Sequence, residues 1–142
     1  MSQPLSSKAN YFFQQGQQLS KAKAYAAAIA QFDRALENQP DWYAGWYERG
    51  KALYDLGNYQ AAIFNFKEVL VLKSDYAPAW NNRGMALAKL NRHNEAVASY
   101  DRAIELAPKN YKAWYNRGNA LMKLNSSQQA LDSYEKTLKL KP

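Results

Sequence analysis

Asp33 with Glu37, and Asp101 with Glu105, stand four residues apart, a spacing that sets both carboxylates of each pair on one helix face, as acid–base chemistry would need. The pairs recur at an interval of 68 residues on what read as outward-facing second helices, and a solvated charged face explains them without catalysis. His93 is the single histidine of a chain with no cysteine, which rules out a histidine-rich metal site, a thiolate nucleophile and a disulfide framework. It reads as a packing or turn residue. No glycine-rich phosphate loop, nucleophile elbow or metal-spaced motif occurs, so neither an enzyme nor a cofactor is expected. The chemistry left is that of binding: rings, amides and lysines.

The chain has 142 residues, of which 47% are apolar and 22% charged, the balance of a soluble globular protein with enough chain for a core. No apolar run approaches the ~18 residues that span a bilayer, and Met1 to Asn10 lacks the basic-then-apolar order of a secretory signal. The expected location is cytoplasmic. Net charge is +7, unevenly placed: residues 1–76 carry 8 Lys/Arg against 7 Asp/Glu, and residues 77–142 carry 11 against 5. A basic half attracts nucleic acid, anionic lipid or an acidic polypeptide without choosing among them.

The elements that must position these residues declare themselves as a repeat. Gly16, Gly50, Gly84 and Gly118 stand 34 residues apart, each preceded at four residues by Phe12, Trp46, Trp80 or Trp114 and followed at three by Leu19, Leu53, Leu87 or Leu121. That is one helical stripe, which places the tryptophans in the core rather than against a nucleic-acid base. Twelve residues past each glycine come Ala28, Ala62, Ala96 and Ala130, then Phe32, Phe66, Tyr100 and Tyr134, then Ala35, Val69, Ala103 and Thr137. A second helix follows from that face, closed at Pro40, Ser74, Pro108 and Pro142. In the second repeat the helices span about Tyr43 to Leu56 and Gln60 to Lys73. Gly57 and Asn58 break the chain between them, with Lys23, Asn91 and Asn125 in the place of Gly57 where a left-handed cap is needed. Glycine in mid-helix costs about 1 kcal/mol against alanine. Close approach of the two helices, with each glycine facing an alanine and a ring beside them, is the expected reason.

Over residues 9 to 142 this pattern resembles the tetratricopeptide repeat, in a variant with arginine before the glycine (Arg49, Arg83, Arg117; Gln15 in the first copy) that is similar to bacterial members. The reading is all-α: four helix-turn-helix repeats, eight helices, at 9–42, 43–76, 77–110 and 111–142 after a lead of 1–8. The resemblance implies a right-handed α-solenoid whose first helices line a concave groove. It also implies that the chain is a protein-interaction scaffold.

The groove set is Phe13, Gln17 and Lys21; Tyr47, Lys51 and Tyr54; Asn81, Asn82, Met85 and Lys89; and Lys112, Tyr115, Asn116, Asn119, Met122 and Lys123. Amides bond a peptide backbone, rings give contact area and lysines meet carboxylates, so the expected partner is an extended, acidic segment of another protein. Some family members clamp a C-terminal carboxylate with lysine, asparagine, asparagine, lysine and arginine. Here Asn82 and Lys112 fit that clamp while Tyr47, Lys51 and Asn116 depart from it, which argues against such a tail. The alternative reading is a basic-surface nucleic-acid binder, disfavoured because helical repeats that read single strands have other spacings and residue patterns. Leu131, Tyr134 and Leu138 are expected to leave an apolar face in the last repeat, a route to self-association through terminal repeats. Arg49 and Arg117 are expected beside Asp33 and Asp101, each 16 positions earlier; Arg83 has Lys67 at that offset.

Overall fold

The computed structural model describes residues 6–142. Among them are eight helices: α1 (Ser7–Lys21), α2 (Tyr25–Asn38), α3 (Tyr43–Leu56), α4 (Tyr59–Leu72), α5 (Ala77–Lys89), α6 (His93–Leu106), α7 (Tyr111–Lys123) and α8 (Ser127–Leu140). No strand occurs among the described residues, and no helix there is long and apolar enough to cross a membrane. The helices fall into two compact units, one ending at Ser74 and one running from Asp75 to Pro142. In the first, α2 packs on both α1 and α3, and α4 closes on α3; in the second, α6 packs on α5 and α7, and α8 on α7.

Each turn within a pair is made the same way. Gly57, Lys23, Asn91 and Asn125 adopt positive φ of 91°, 61°, 60° and 59°. The next residue's N–H then reaches back to a leucine carbonyl: Asn58 to Leu53, Ala24 to Leu19, Arg92 to Leu87 and Ser126 to Leu121, at 2.8–2.9 Å. The αL residue itself donates to Tyr54, Ser20, Ala88 or Met122. This is a Schellman cap, which satisfies carbonyls that the helix end would otherwise orphan. The second helices end alike whether proline or Ser74 follows: α2 at Asn38, α4 at Leu72, α6 at Leu106. Proline marks the boundary but is not what makes it.

The second-helix stripe is buried as expected. Ala28, Ala62, Ala96 and Ala130 are 0% exposed, Phe32 and Phe66 0%, and Tyr100 2%, while Tyr134 in α8 is only half-buried. The reason for the mid-helix glycines differs from the expectation. A Cβ at Gly16, Gly50, Gly84 or Gly118 would lie only 2.5–2.7 Å from a ring carbon of Phe32, Phe66, Tyr100 or Tyr134. The glycine faces the aromatic ring of its partner helix, not the alanine. Any side chain there would have to displace a ring that lies flush on the backbone.

A related contact joins successive repeats in the first unit. Leu36 of α2 (7% exposed) approaches α3 at Gly45, where an added Cβ would sit 2.9 Å from Leu36 Cδ2. The tryptophans depart from expectation too: Trp46, Trp80 and Trp114 are half-buried rather than in the core. For two of them the cause is the indole N–H, which needs an acceptor. Trp46 Nε1 donates to the Pro40 carbonyl and Trp114 Nε1 to the Pro108 carbonyl, both at 2.9 Å, so these rings tie the loop between repeats and leave an edge in solvent.

Candidate functional site

The arginines before the glycines are structural members, two of them with two partners and Arg83 with one. Arg49 Nε donates to Asp33 Oδ1 at 2.6 Å and its Nη1 to Asn65 Oδ1 at 3.0 Å. Arg117 repeats the pattern 68 residues on, to Asp101 Oδ1 at 2.6 Å and to Ser133 Oγ at 2.7 Å. The aspartate pairing follows the 16-residue offset read from the sequence. The forward partners at +16 were not anticipated, although the register gives them: Asn65, Ser99 and Ser133 share one repeat position and are 0–1% exposed. Arg83 Nη1 donates to Ser99 Oγ, and burial holds its guanidinium below its ordinary pKa, against the opposing pull of Glu95. Each arginine thus satisfies a polar side chain inside the second helix of its own repeat.

On the first unit, the expected binding residues of α1 and α3 are mixed in their availability. Phe13 is engaged inside the fold, its ring 4.2 Å from that of Trp42 and 5.8 Å from that of Phe32. Gln17 is half-buried and Lys21 exposed in the last turn of α1. Lys51 lies with Nζ 4.8 Å from the centroid of the Tyr47 ring and 3.1 Å from Glu48 Oε1, so Tyr47, Glu48 and Lys51 form one local cluster. The Tyr54 ring meets that of Tyr59 edge-on at 5.2 Å. Burial first, then Tyr59 and Asp55, raises the Tyr54 hydroxyl pKa.

On the second unit, Asn81 is 9% exposed and already committed: its Oδ1 accepts from Asn116 Nδ2 at 3.2 Å and its amide lies 3.8 Å from Met85 Sδ. Asn82, Met85 and Asn116 are half-buried, and Lys89, Lys112, Asn119 and Lys123 exposed. Tyr115 and Met122 are 51% and 49% exposed, on a helix whose other face buries Ala113, Gly118, Ala120 and Leu121. Tyr134 Oη donates to Asn119 Oδ1 at 2.7 Å, which orients the Asn119 amide; burial, and then Tyr115, raises the Tyr134 pKa.

No group of three or more histidine, cysteine or acidic residues could hold a metal ion among the described residues. His93 opens α6, half-buried, with Nδ1 buried and unpartnered. The carboxylate pairs differ from a simple solvated face: Asp33 and Asp101 hold arginines, Glu105 pairs with Arg102 at 2.8 Å, and Glu37 is exposed.

Helix pairs with this turn, this glycine–ring contact and this period define a class, and the comparisons agree. The family model described as Tetratricopeptide repeat matches residues 77–110 and 111–142, and the one described as TPR repeat matches residues 50–91. The chain belongs to the tetratricopeptide repeat family. No curated protein sequence matches it. Among solved structures, MamA (41-end) from Desulfovibrio magneticus RS-1 is similar at TM-score 0.91 and 22% identity, over 98% of this chain and 78% of that one. The first TPR of Spaghetti (RPAP3), bound to the HSP90 peptide SRMEEVD, is similar at TM-score 0.82 and 25% identity, over 84% and 95%. YrrB, described as a TPR protein with an unusual peptide-binding site, is similar at TM-score 0.84 and 22% identity, over 94% and 69%.

The arginine geometry predicts that lysine cannot replace Arg117, because one ammonium cannot reach Asp101 and the buried Ser133 with the fork that a guanidinium provides. In urea denaturation Arg117→Lys should lose about 1–2 kcal/mol, mostly the cost of an unsatisfied Ser133. Arg92→Ala, which breaks an exposed pair with Glu95, should leave the midpoint nearly unchanged. Equal midpoints for both variants would refute the structural role.

Proposed function

We propose that this chain is a protein-interaction scaffold that holds an extended, acidic segment of a partner in the groove expected of its first helices, and that it does not catalyse a reaction. The observation that carries this reading is α7. Tyr115 and Met122 expose apolar surface between Lys112, Asn119 and Lys123, while the buried residues of that helix lie on its opposite face; Tyr134 touches this face only at the Tyr115 ring and the Asn119 amide. Rings and a thioether in solvent, rimmed by amides and ammonium groups, suit an apolar side chain flanked by carboxylates. Two similar structures support the reading, since one is bound to a peptide and the other is described as having a peptide-binding site.

The acidic preference rests on charge. Lys89, Lys112 and Lys123 are exposed on α5 and α7, and Lys21 on α1, whereas Lys51 is occupied by Glu48 and Tyr47. Charge of this kind sets the association rate, and burial of rings sets the residence time. A segment recovered by pull-down, titrated in its native acidic and charge-neutralised forms, should bind more weakly when neutralised. Tyr115→Ala with Met122→Ala should weaken binding by tenfold or more, and Lys89→Ala with Lys112→Ala and Lys123→Ala should slow association, most at low salt. Equal affinity for both forms, or undiminished binding by both variants, would place the partner elsewhere. Capture of single-stranded RNA with a steep loss in salt would favour the nucleic-acid reading instead.

A second reading concerns α8, where Leu131 and Leu138 are 50% and 75% exposed, although Leu36, the repeat counterpart of Leu138, is 7% exposed beneath α3. We propose that this face lets two copies associate. Sedimentation should show a concentration-dependent dimer that Leu138→Lys abolishes; a strict monomer at high concentration would contradict it.

A further inference from the structure

A second surface of the first unit differs from the helix faces just described in sign and in shape. Asp33, Leu36 and Glu37 of α2, Trp46 and Arg49 of α3, and Phe64 of α4 line an open crevice of about 430 Å³. Phe64 is 56% exposed, and Val71, two turns along the same face of α4, is 72% exposed. The 34-residue register puts Ala30, Ala98 and Asp132 at the position of Phe64, and Glu37, Glu105 and Lys139 at that of Val71. The other three second helices are small or polar where α4 shows a ring and a branched aliphatic chain. Packing inside the fold does not account for either residue.

The second unit supplies an internal comparison. Asp101, Ile104, Glu105, Trp114 and Arg117 line a crevice of about 340 Å³ from the same repeat positions. There Glu105 is neutralised by Arg102 at 2.8 Å. In the first unit the counterpart of Arg102 is Arg34, whose guanidinium lies over the Phe12 ring at 5.5 Å. Glu37 is left exposed and without an ion pair among the described residues. Arg49 does not serve it, being held by Asp33 and Asn65. The first crevice therefore combines a carboxylate that forms no ion pair among the described residues, although Lys8 and Arg34 line a neighbouring crevice with it, with indole and phenyl walls. The second has neither the free charge nor the phenyl wall.

From this difference we infer that the crevice of the first unit is a docking site for a lysine or arginine side chain of a partner polypeptide. The alkyl stem lies against Trp46 and Phe64, the cationic head meets Glu37 and the unshared oxygen of Asp33, and an apolar neighbour on the partner covers Val71. A cation beside aromatic faces and a carboxylate gains from both, and its stem removes exposed ring surface from water. An anionic group would meet Asp33 and Glu37, and a purely apolar one would strip water from Glu37 without a counter-charge. The site is independent of the acidic-segment reading, because it has the opposite charge preference and stands on other residues.

The test uses the full chain labelled with ¹⁵N and two blocked heptapeptides, one with arginine and one with glutamate between leucines. The arginine peptide should shift the Trp46 indole N–H signal with saturation while leaving Trp114 in place, and the glutamate peptide should shift neither. Glu37→Gln should weaken the arginine peptide by roughly fivefold, the upper end for an exposed pair, and Phe64→Ala, which installs the residue found at positions 30 and 98, by about tenfold. Both changes are at exposed positions; a dispersed spectrum confirms the fold, and Glu37→Gln carries the test should Phe64→Ala unfold. Equal responses to both peptides, equal responses of Trp46 and Trp114, or indifference to Glu37→Gln would overturn the assignment. So would a Trp46 shift produced by raising protein concentration alone, which would make a second copy the occupant.

Discussion

The contact on which the rest depends is the aromatic ring laid against a glycine. Phe32 on Gly16, Phe66 on Gly50, Tyr100 on Gly84 and Tyr134 on Gly118 bring ring carbons to within 2.5–2.7 Å of where a Cβ would stand. That closeness sets the distance between the two helices of each pair. It also turns the arginine before the glycine toward the second helix, where Asn65, Ser99 or Ser133 receives it. One substitution-intolerant residue per repeat therefore organises both the apolar packing and the buried polar network. The cost of glycine in a helix, about 1 kcal/mol, is outweighed by the ring surface it lets the pair bury.

The ring and the arginine occupy one side of each first helix, and the other side carries less of the packing. Proteins built of repeats can vary such a side without disturbing their neighbours, which is how one scaffold serves many partners. On α7 that side carries Tyr115, Asn119, Met122 and Lys123, and on α3 Tyr47, Lys51 and Tyr54; the tyrosines keep ring contacts with Tyr134, Phe66 and Tyr59. The second helices have their own unused face, and on α4 it departs from the rule of the other three repeats through Phe64 and Val71.

Much of this was legible because the repeat is in the sequence four times. The boundaries of α3 follow from Tyr43 and Leu56, the αL positions from the register of Gly57 with Lys23, Asn91 and Asn125, and the Arg49–Asp33 and Arg117–Asp101 pairs from a fixed offset. What was not legible depends on three-dimensional approach. Periodicity puts Trp46 and Gly50 on one stripe but does not say that the glycine meets a ring or that the indole N–H must find the Pro40 carbonyl. Nor does spacing reveal that Phe13 is taken up by Trp42, that Asn81 is paired with Asn116, or that Arg34 sits on Phe12 and leaves Glu37 exposed. Each is a choice between two partners within reach, which a one-dimensional pattern leaves open.

The central claim is a division of labour on the first helices, and α7 tests it most directly. Unfolding free energies should be measured in urea for Gly118→Ala and for Tyr115→Gln combined with Met122→Gln. The account predicts that Gly118→Ala loses about 1–2 kcal/mol, overpacking against Tyr134 exceeding the gain in helix propensity, while the double change at exposed positions stays within about 0.5 kcal/mol of the parent. A stable Gly118→Ala together with a collapsed double variant would contradict it, because the exposed face would then be serving the fold and the ring contact would not.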